Sequence, residues 1–128
     1  MPTLLSRCYG VPELTWSDEL EHSARVYAAK CQFEHSSRSE RNGAGENLAA
    51  GTGRRDAVGL AQGWIDEQFD WNCQRNTNTG VVGHYTQVIW ASTQRLGCAS
   101  IVCNSNSPFG SGFGSAWTNV VCHYDPPG

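Results

Sequence analysis

Gly83-His84-Tyr85-Thr86-Gln87-Val88-Ile89-Trp90 places an imidazole at the head of a short run of aromatic, hydroxyl, amide and aliphatic side chains. A plain core segment does not call for that mixture, so the block is the first place to seek a site. Three other ionisable groups stand in comparable settings: His35 in Phe33-Glu34-His35-Ser36-Ser37, Glu46 in Gly45-Glu46-Asn47-Leu48, and Glu67 in Trp64-Ile65-Asp66-Glu67. Two imidazoles and two carboxylates are thus candidates to share one cleft.

The length of 128 residues suits a single domain spanning 1–128 with one sizeable core, and no shift in composition marks a second unit. A hydrophobic content of 39% with five Trp favours a folded chain over disorder, while abundant Gly, Ser and Asn predict much loop. The net charge of −3 is small and the nine basic residues are scattered, which argues against a nucleic-acid partner. No apolar run reaches the roughly 18 residues a transmembrane helix needs. Met1 to Ser6 is too short for a signal peptide, so the expectation is a mature or trimmed secreted chain.

Six cysteines, Cys8, Cys31, Cys73, Cys98, Cys103 and Cys122, form an even and dense set. Disulfides in an oxidising compartment are the favoured reading. A zinc-cysteine site would want close pairs such as Cys-x-x-Cys, and Cys98 to Cys103 stands only at the upper limit of that spacing.

Ser17 before Asp18 and Glu19 predicts a helix start, with Leu20, Ala24, Tyr27, Ala28 and Cys31 sharing one face, over Ser17 to Gln32. Asn42-Gly43-Ala44-Gly45 permits tight turns and holds Glu46 near a sharp bend. Asp56 caps a second predicted helix running to about Phe69, with Glu67 beside its buried stripe. Residues Trp71 to Gly83 read as a long loop. Leu96 to Val102 and Trp117 to Tyr124 read as strands paired antiparallel, joined by the Gly/Ser-rich segment Asn104 to Ser115. If the first strand persists to Cys103, Cys98 and Cys103 face opposite sides of the sheet and bond to different partners. Helices are expected on both faces.

His35, His84 and either glutamate have the chemistry of a zinc site, with the remaining glutamate as general base or as the orienting partner of a ligand. Their intervals match no local metal motif, and His-Glu-x-x-His is absent. Taken without any relatives, the plainer reading is a hydrogen-bonded polar network that orders loops. His22 on a solvated helix face and His123 on a strand are left out of the cluster. Ser36 and Ser37 lack the Gly-x-Ser-x-Gly elbow of a nucleophilic serine, and the cysteines are expected to be consumed by bridges. Phe69, Trp71, Phe109 and Phe113 are candidates for an apolar groove, although core packing is the commoner fate of aromatic residues.

These residues resemble the CAP superfamily of cysteine-rich secretory, venom antigen five and plant pathogenesis-related proteins. The resemblance runs from Gly10 to Gly128 through Gly10-Val11-Pro12-Glu13-Leu14-Thr15-Trp16, Cys31-Gln32-Phe33-Glu34-His35-Ser36, Gly45-Glu46-Asn47-Leu48, the Gly83 to Trp90 block and Cys122-His123-Tyr124-Asp125-Pro126-Pro127-Gly128. It implies an α+β fold, a three-layer α-β-α sandwich with a mainly antiparallel central sheet. It also implies a cleft that gathers His35, His84, Glu46 and Glu67, often around zinc or another divalent cation, and a short helix beginning at His84-Tyr85-Thr86-Gln87. The implied bridges are Cys31–Cys103 and Cys98–Cys122, which leaves Cys8 with Cys73. Two departures stand out: Met1 to Arg7 replaces the usual opening helix motif, and Val82 stands where plant relatives carry a cysteine.

The resemblance further implies an extracellular, non-enzymatic binding protein. Sterol or another small lipid is the implied ligand, with Phe69 and Trp71 as its apolar contacts. A zinc-dependent hydrolase with Glu46 or Glu67 as base is the second reading. A defence or receptor module contacting an extracellular protein, with a purely structural cleft, is the third.

Overall fold

The computed structural model describes residues 15–66, 71–72, 77–78, 83, 87, 93–110, 112 and 114–127. Strand β1 (Thr15–Trp16) leads into helix α1 (Asp18–Ala28), strand β2 (Gly45–Thr52), helix α2 (Ala57–Asp66), strands β3 (Trp71–Asn72) and β4 (Thr77–Asn78), and the long strands β5 (Arg95–Cys103) and β6 (Trp117–Asp125). The principal sheet has the order β1-β5-β6-β2, antiparallel except for the parallel edge pair β1–β5. A mixed α+β sandwich results. α1 lies across β5 and β6, and α2 packs against β2 and β6.

β6 is buried along nearly its whole length because both of its faces are covered. Its alternate residues feed two cores. Val121 joins Ala24, Tyr27 and Ala28 of α1 with Leu48 and Ala99, while Val120, Cys122 and Tyr124 join Trp64 of α2 and Ala49. Cys98 and Cys103 follow the same parity. Cys98 pairs with Cys122, its direct cross-strand neighbour, in the α2 layer, and Cys103 reaches Cys31 in the α1 layer. Both bridges agree with the pattern the resemblance implies. Cys8 and Cys73 lie outside the described residues.

Ser17 caps α1 as expected, its hydroxyl accepting the Leu20 amide at 3.2 Å, and acidic residues fill the first turn. The helix ends at Ala28, four residues earlier than the periodicity predicts, because Cys31 takes a left-handed φ of 53° that no α-helix can continue. Glycine at 97 lets this helix sit directly on the sheet. A Cβ there would stand 2.0 Å from the Glu21 amide nitrogen and 2.7 Å from the Ser17 carbonyl oxygen.

The turn chemistry holds, one strand forms against its local tendency, and one loop assignment needs correction. As expected, a tight turn precedes Glu46, with positive φ at Asn42 and Gly43, and Glu46 itself lies one residue inside β2. The sequence Gly-Glu-Asn-Leu-Ala-Ala-Gly-Thr has poor strand propensity; its eight-residue ladder with β6 overrides that tendency. The Trp71 to Gly83 stretch, read as loop, contains the short β3–β4 ladder, with Trp71 opposite Asn78.

Candidate functional site

The site is assembled where β2, β6 and the segment between α1 and β2 meet. That segment is tied down by its own polar groups. The Tyr27 hydroxyl donates to the Glu34 carbonyl at 2.6 Å, Lys30 pairs with Glu40 at 2.9 Å, and Arg41 bonds the carbonyls of Ser36 and Ala44. These ties bring His35 and Ser36 down onto Glu46.

The Glu46 side chain is closed off from solvent, and both of its oxygens are occupied. Oε1 accepts His35 Nδ1–H and the Ser36 amide, each at 2.9 Å, with Arg41 at 3.4 Å. Oε2 accepts the Ser36 hydroxyl at 2.6 Å and His123 Nε2–H at 2.9 Å. Burial pushes this carboxyl upward, but the hydrogen bonds from His123, Ser36 and His35 outweigh it and hold the group at about 2. An ionised carboxylate only accepts, so both imidazole nitrogens that face it carry protons.

His123, set aside in the sequence as an ordinary strand residue, belongs to this cluster. It is fully buried, stands directly opposite Glu46 in the β2–β6 register, and has its other nitrogen 2.6 Å from Ser23 Oγ. A signal was present: Asn119 and His123 are polar residues four apart on a strand otherwise rich in buried apolar residues, so both share one face and both need partners. His22 is exposed on α1, as expected.

His35 keeps 59% of its side-chain exposure and lines an open cleft of about 300 Å³. Arg38, Arg41 and Glu46 border the same cleft, together with Gly83 and Gln87 from the block around His84. Gln87 is buried against Gly45, where a Cβ would collide with its amide oxygen, and its Nε2 donates to Thr93 at 3.0 Å. Gly83 and Gln87 are helical, in keeping with the short helix expected there. His84, Glu67 and Phe69 lie outside the described residues, as does the side chain of Trp71. Among the described residues, no three His, Cys, Asp or Glu side chains converge on a metal-sized position. His35 fits a ligand role, since its Nδ1–H is anchored on a carboxylate and its other nitrogen is not. Glu46 fits only as that anchor, because its own lone pairs are taken.

Two helical layers enclosing a mainly antiparallel sheet, with a bridge in each layer among the described residues and a carboxylate-anchored histidine at a cleft, define a disulfide-stabilised α-β-α sandwich protein. The chain belongs to the cysteine-rich secretory protein (CAP) family, whose pattern matches residues 7–124. It is 38% identical over 123 residues to pathogenesis-related protein 1 of Arabidopsis thaliana, an alignment covering 93% of this chain and 68% of that one. Pathogenesis-related protein 1A1 of Solanum lycopersicum is likewise 38% identical over 128 residues, with 95% and 65% covered. Among solved structures, Na-ASP-1 superposes with a TM-score of 0.70 at 29% identity, over 90% of this chain and 30% of that one. The crystal structure of NaASP2 with Zn2+ gives 0.67 at 28% identity, over 90% and 60%. The chain thus spans about two thirds of these plant relatives and less of the two solved chains.

Proposed function

We propose that this protein is a secreted, non-enzymatic binding protein whose cleft takes a divalent cation, zinc first among them. The observation that carries the reading is the His35–Glu46 pair. A carboxylate that receives one ring N–H of a histidine fixes the tautomer and leaves the other nitrogen as a ligand, the usual arrangement around a metal-bound imidazole. His84 and Glu67 are the further ligands the resemblance implies, and Gly83 and Gln87, flanking His84, border the cleft with His35. A relative whose structure is described with Zn2+ supports the choice of metal. The bound cation would supply a positive, Lewis-acidic centre for an oxygen-bearing ligand. Two disulfides support an oxidising, extracellular setting.

The hydrolase reading finds no support at Glu46. A general base needs a free lone pair facing water, and this carboxylate is shut away, ionised and occupied on both oxygens. Elemental analysis of protein prepared without added metal, then reconstituted with zinc and dialysed, tests the proposal. About one zinc per chain is expected, since a built site binds stoichiometrically. Retention of no zinc, or zinc-dependent turnover of a broad peptide and ester library, contradicts it.

Sterol or small-lipid binding near Phe69 and Trp71, and contact with an extracellular protein partner, extend the proposal on the strength of the resemblance. Titration with a fluorescent sterol, repeated with Trp71→Ala, tests the lipid part. Saturable binding weakened in the variant supports it, and absence of saturable binding by the unmodified protein removes it.

A further inference from the structure

Behind the His35–Glu46 pair runs a hydrogen-bonded chain that reaches α1. His123 is wedged between the carboxylate on one side, at 2.9 Å, and Ser23 Oγ on the other, at 2.6 Å. Ser23 is itself held 3.0 Å from the Leu20 carbonyl of its own helix. The close seating of that helix is set by Gly97, which lies opposite His123 in the β5–β6 register. The buried ring is therefore gripped at both nitrogens by two different layers of the fold.

We propose that His123 is the positioning residue of the cation cleft, with Ser23 as its anchor: together they orient Glu46 so that His35 is held as the Nδ1–H tautomer and offers Nε2 to a divalent cation. This rests on the cation reading above and deepens it. His123 and the Ser36 hydroxyl both hold Oε2, which stops the carboxylate from turning about its last bond. Oε1 is then fixed towards His35. A histidine left to water favours the opposite tautomer, with the proton on Nε2, and that form cannot bind a cation through Nε2. Removing the His123 donor leaves a buried oxygen short of a partner, and the carboxylate then turns or draws in water. In either case the preference imposed on His35 relaxes.

The test uses long-range 15N–1H correlation spectra of the imidazoles in metal-free protein near neutral pH, together with zinc affinity measured against a chromophoric chelator. The unmodified protein is expected to show His35 as the Nδ1–H form. In His123→Leu that form should give way to Nε2–H, and zinc affinity should fall by roughly 10- to 100-fold, as it does when outer partners of metal-bound histidines are lost. His123→Gln, whose longer side chain carries an amide N–H to about where Nε2 stood beside Oε2, should recover most of both. A merely structural role predicts a lower melting temperature with the His35 tautomer and zinc affinity unchanged, and that result overturns the proposal. Should His123→Leu fail to fold, Ser23→Ala carries the same comparison: an increased Nε2–H fraction at His35 supports the proposal and an unchanged spectrum overturns it. Unmodified protein that binds no zinc defeats the cation reading on which the proposal rests. The metal-free spectra still decide whether His123 orients Glu46 and His35, so the two failures are told apart.

Discussion

At the scale of single residues, the structure turns on one buried carboxylate. Glu46 is held at about 2 against an ordinary 4.5, so the fold favours its ionised form. That stabilisation is complete above the unfolded value and is lost as pH falls from about 4.5 to about 2. Glu46→Gln should remove on the order of 2 kcal/mol at neutral pH and flatten the decline across that window, as measured by urea unfolding at a series of pH values. Glu40 is also held near 2, by Lys30 and Ser37 on the surface, so the difference between the two curves isolates Glu46. Curves that run parallel through the window would contradict the assignment. His35 and Glu46 were legible in the sequence because they flank the polar, turn-forming segment from Ser36 to Gly45. His123 was legible only as one of two polar residues sharing a strand face with Asn119; its pairing with Glu46 depends on the β2–β6 register, which no local pattern encodes.

At the scale of elements, legibility followed the strength of local signals. α1 announced itself by its cap and its buried stripe, and β5 and β6 by their β-branched runs. β2 carries no such signal. It is an edge strand built by pairing, and its outer side is closed where the Trp64 indole donates to the Leu48 carbonyl at 2.9 Å. The seating of α1 depends on Gly97. Gly97→Ala would set a methyl 2.0 Å from the Glu21 amide nitrogen and 2.5 Å from the Leu20 carbonyl carbon, both rigid backbone atoms. The helix must lift off the sheet, at an expected cost of roughly 3 kcal/mol or more. Guanidinium unfolding measures this, and a loss no larger than that of an ordinary surface substitution would show that the contact is not close. Lifting α1 should also withdraw Ser23 from His123, so the variant's zinc affinity is expected to drop with its stability.

At the scale of the whole molecule, one bridge lies in each layer among the described residues. Cys31–Cys103 spans 72 residues of sequence and Cys98–Cys122 spans 24, so the first restrains the unfolded chain more strongly. Chain-entropy reasoning gives about 4 kcal/mol for the longer loop and about 3 kcal/mol for the shorter. Paired serine substitutions compared by guanidinium unfolding should rank in that order, and a reversed order would mean that local packing, not loop length, governs these bridges. The opposite-face parity of Cys98 and Cys103 made the layering readable in outline, since alternation along a strand is a local property. The meeting of His35 with Glu46 was readable only through the resemblance, and the arrival of β6 and α1 behind them, through His123 and Ser23, was not readable at all, because it joins residues far apart in sequence. The cleft's role turns on whether His35 presents a nitrogen to a cation there. Calorimetric titration of zinc into the metal-free protein and into His35→Ala asks this most directly. Saturable binding in the first that is abolished in the second, with the fold intact by circular dichroism, is the predicted result; equal binding by both, or none by the unmodified protein, would contradict it.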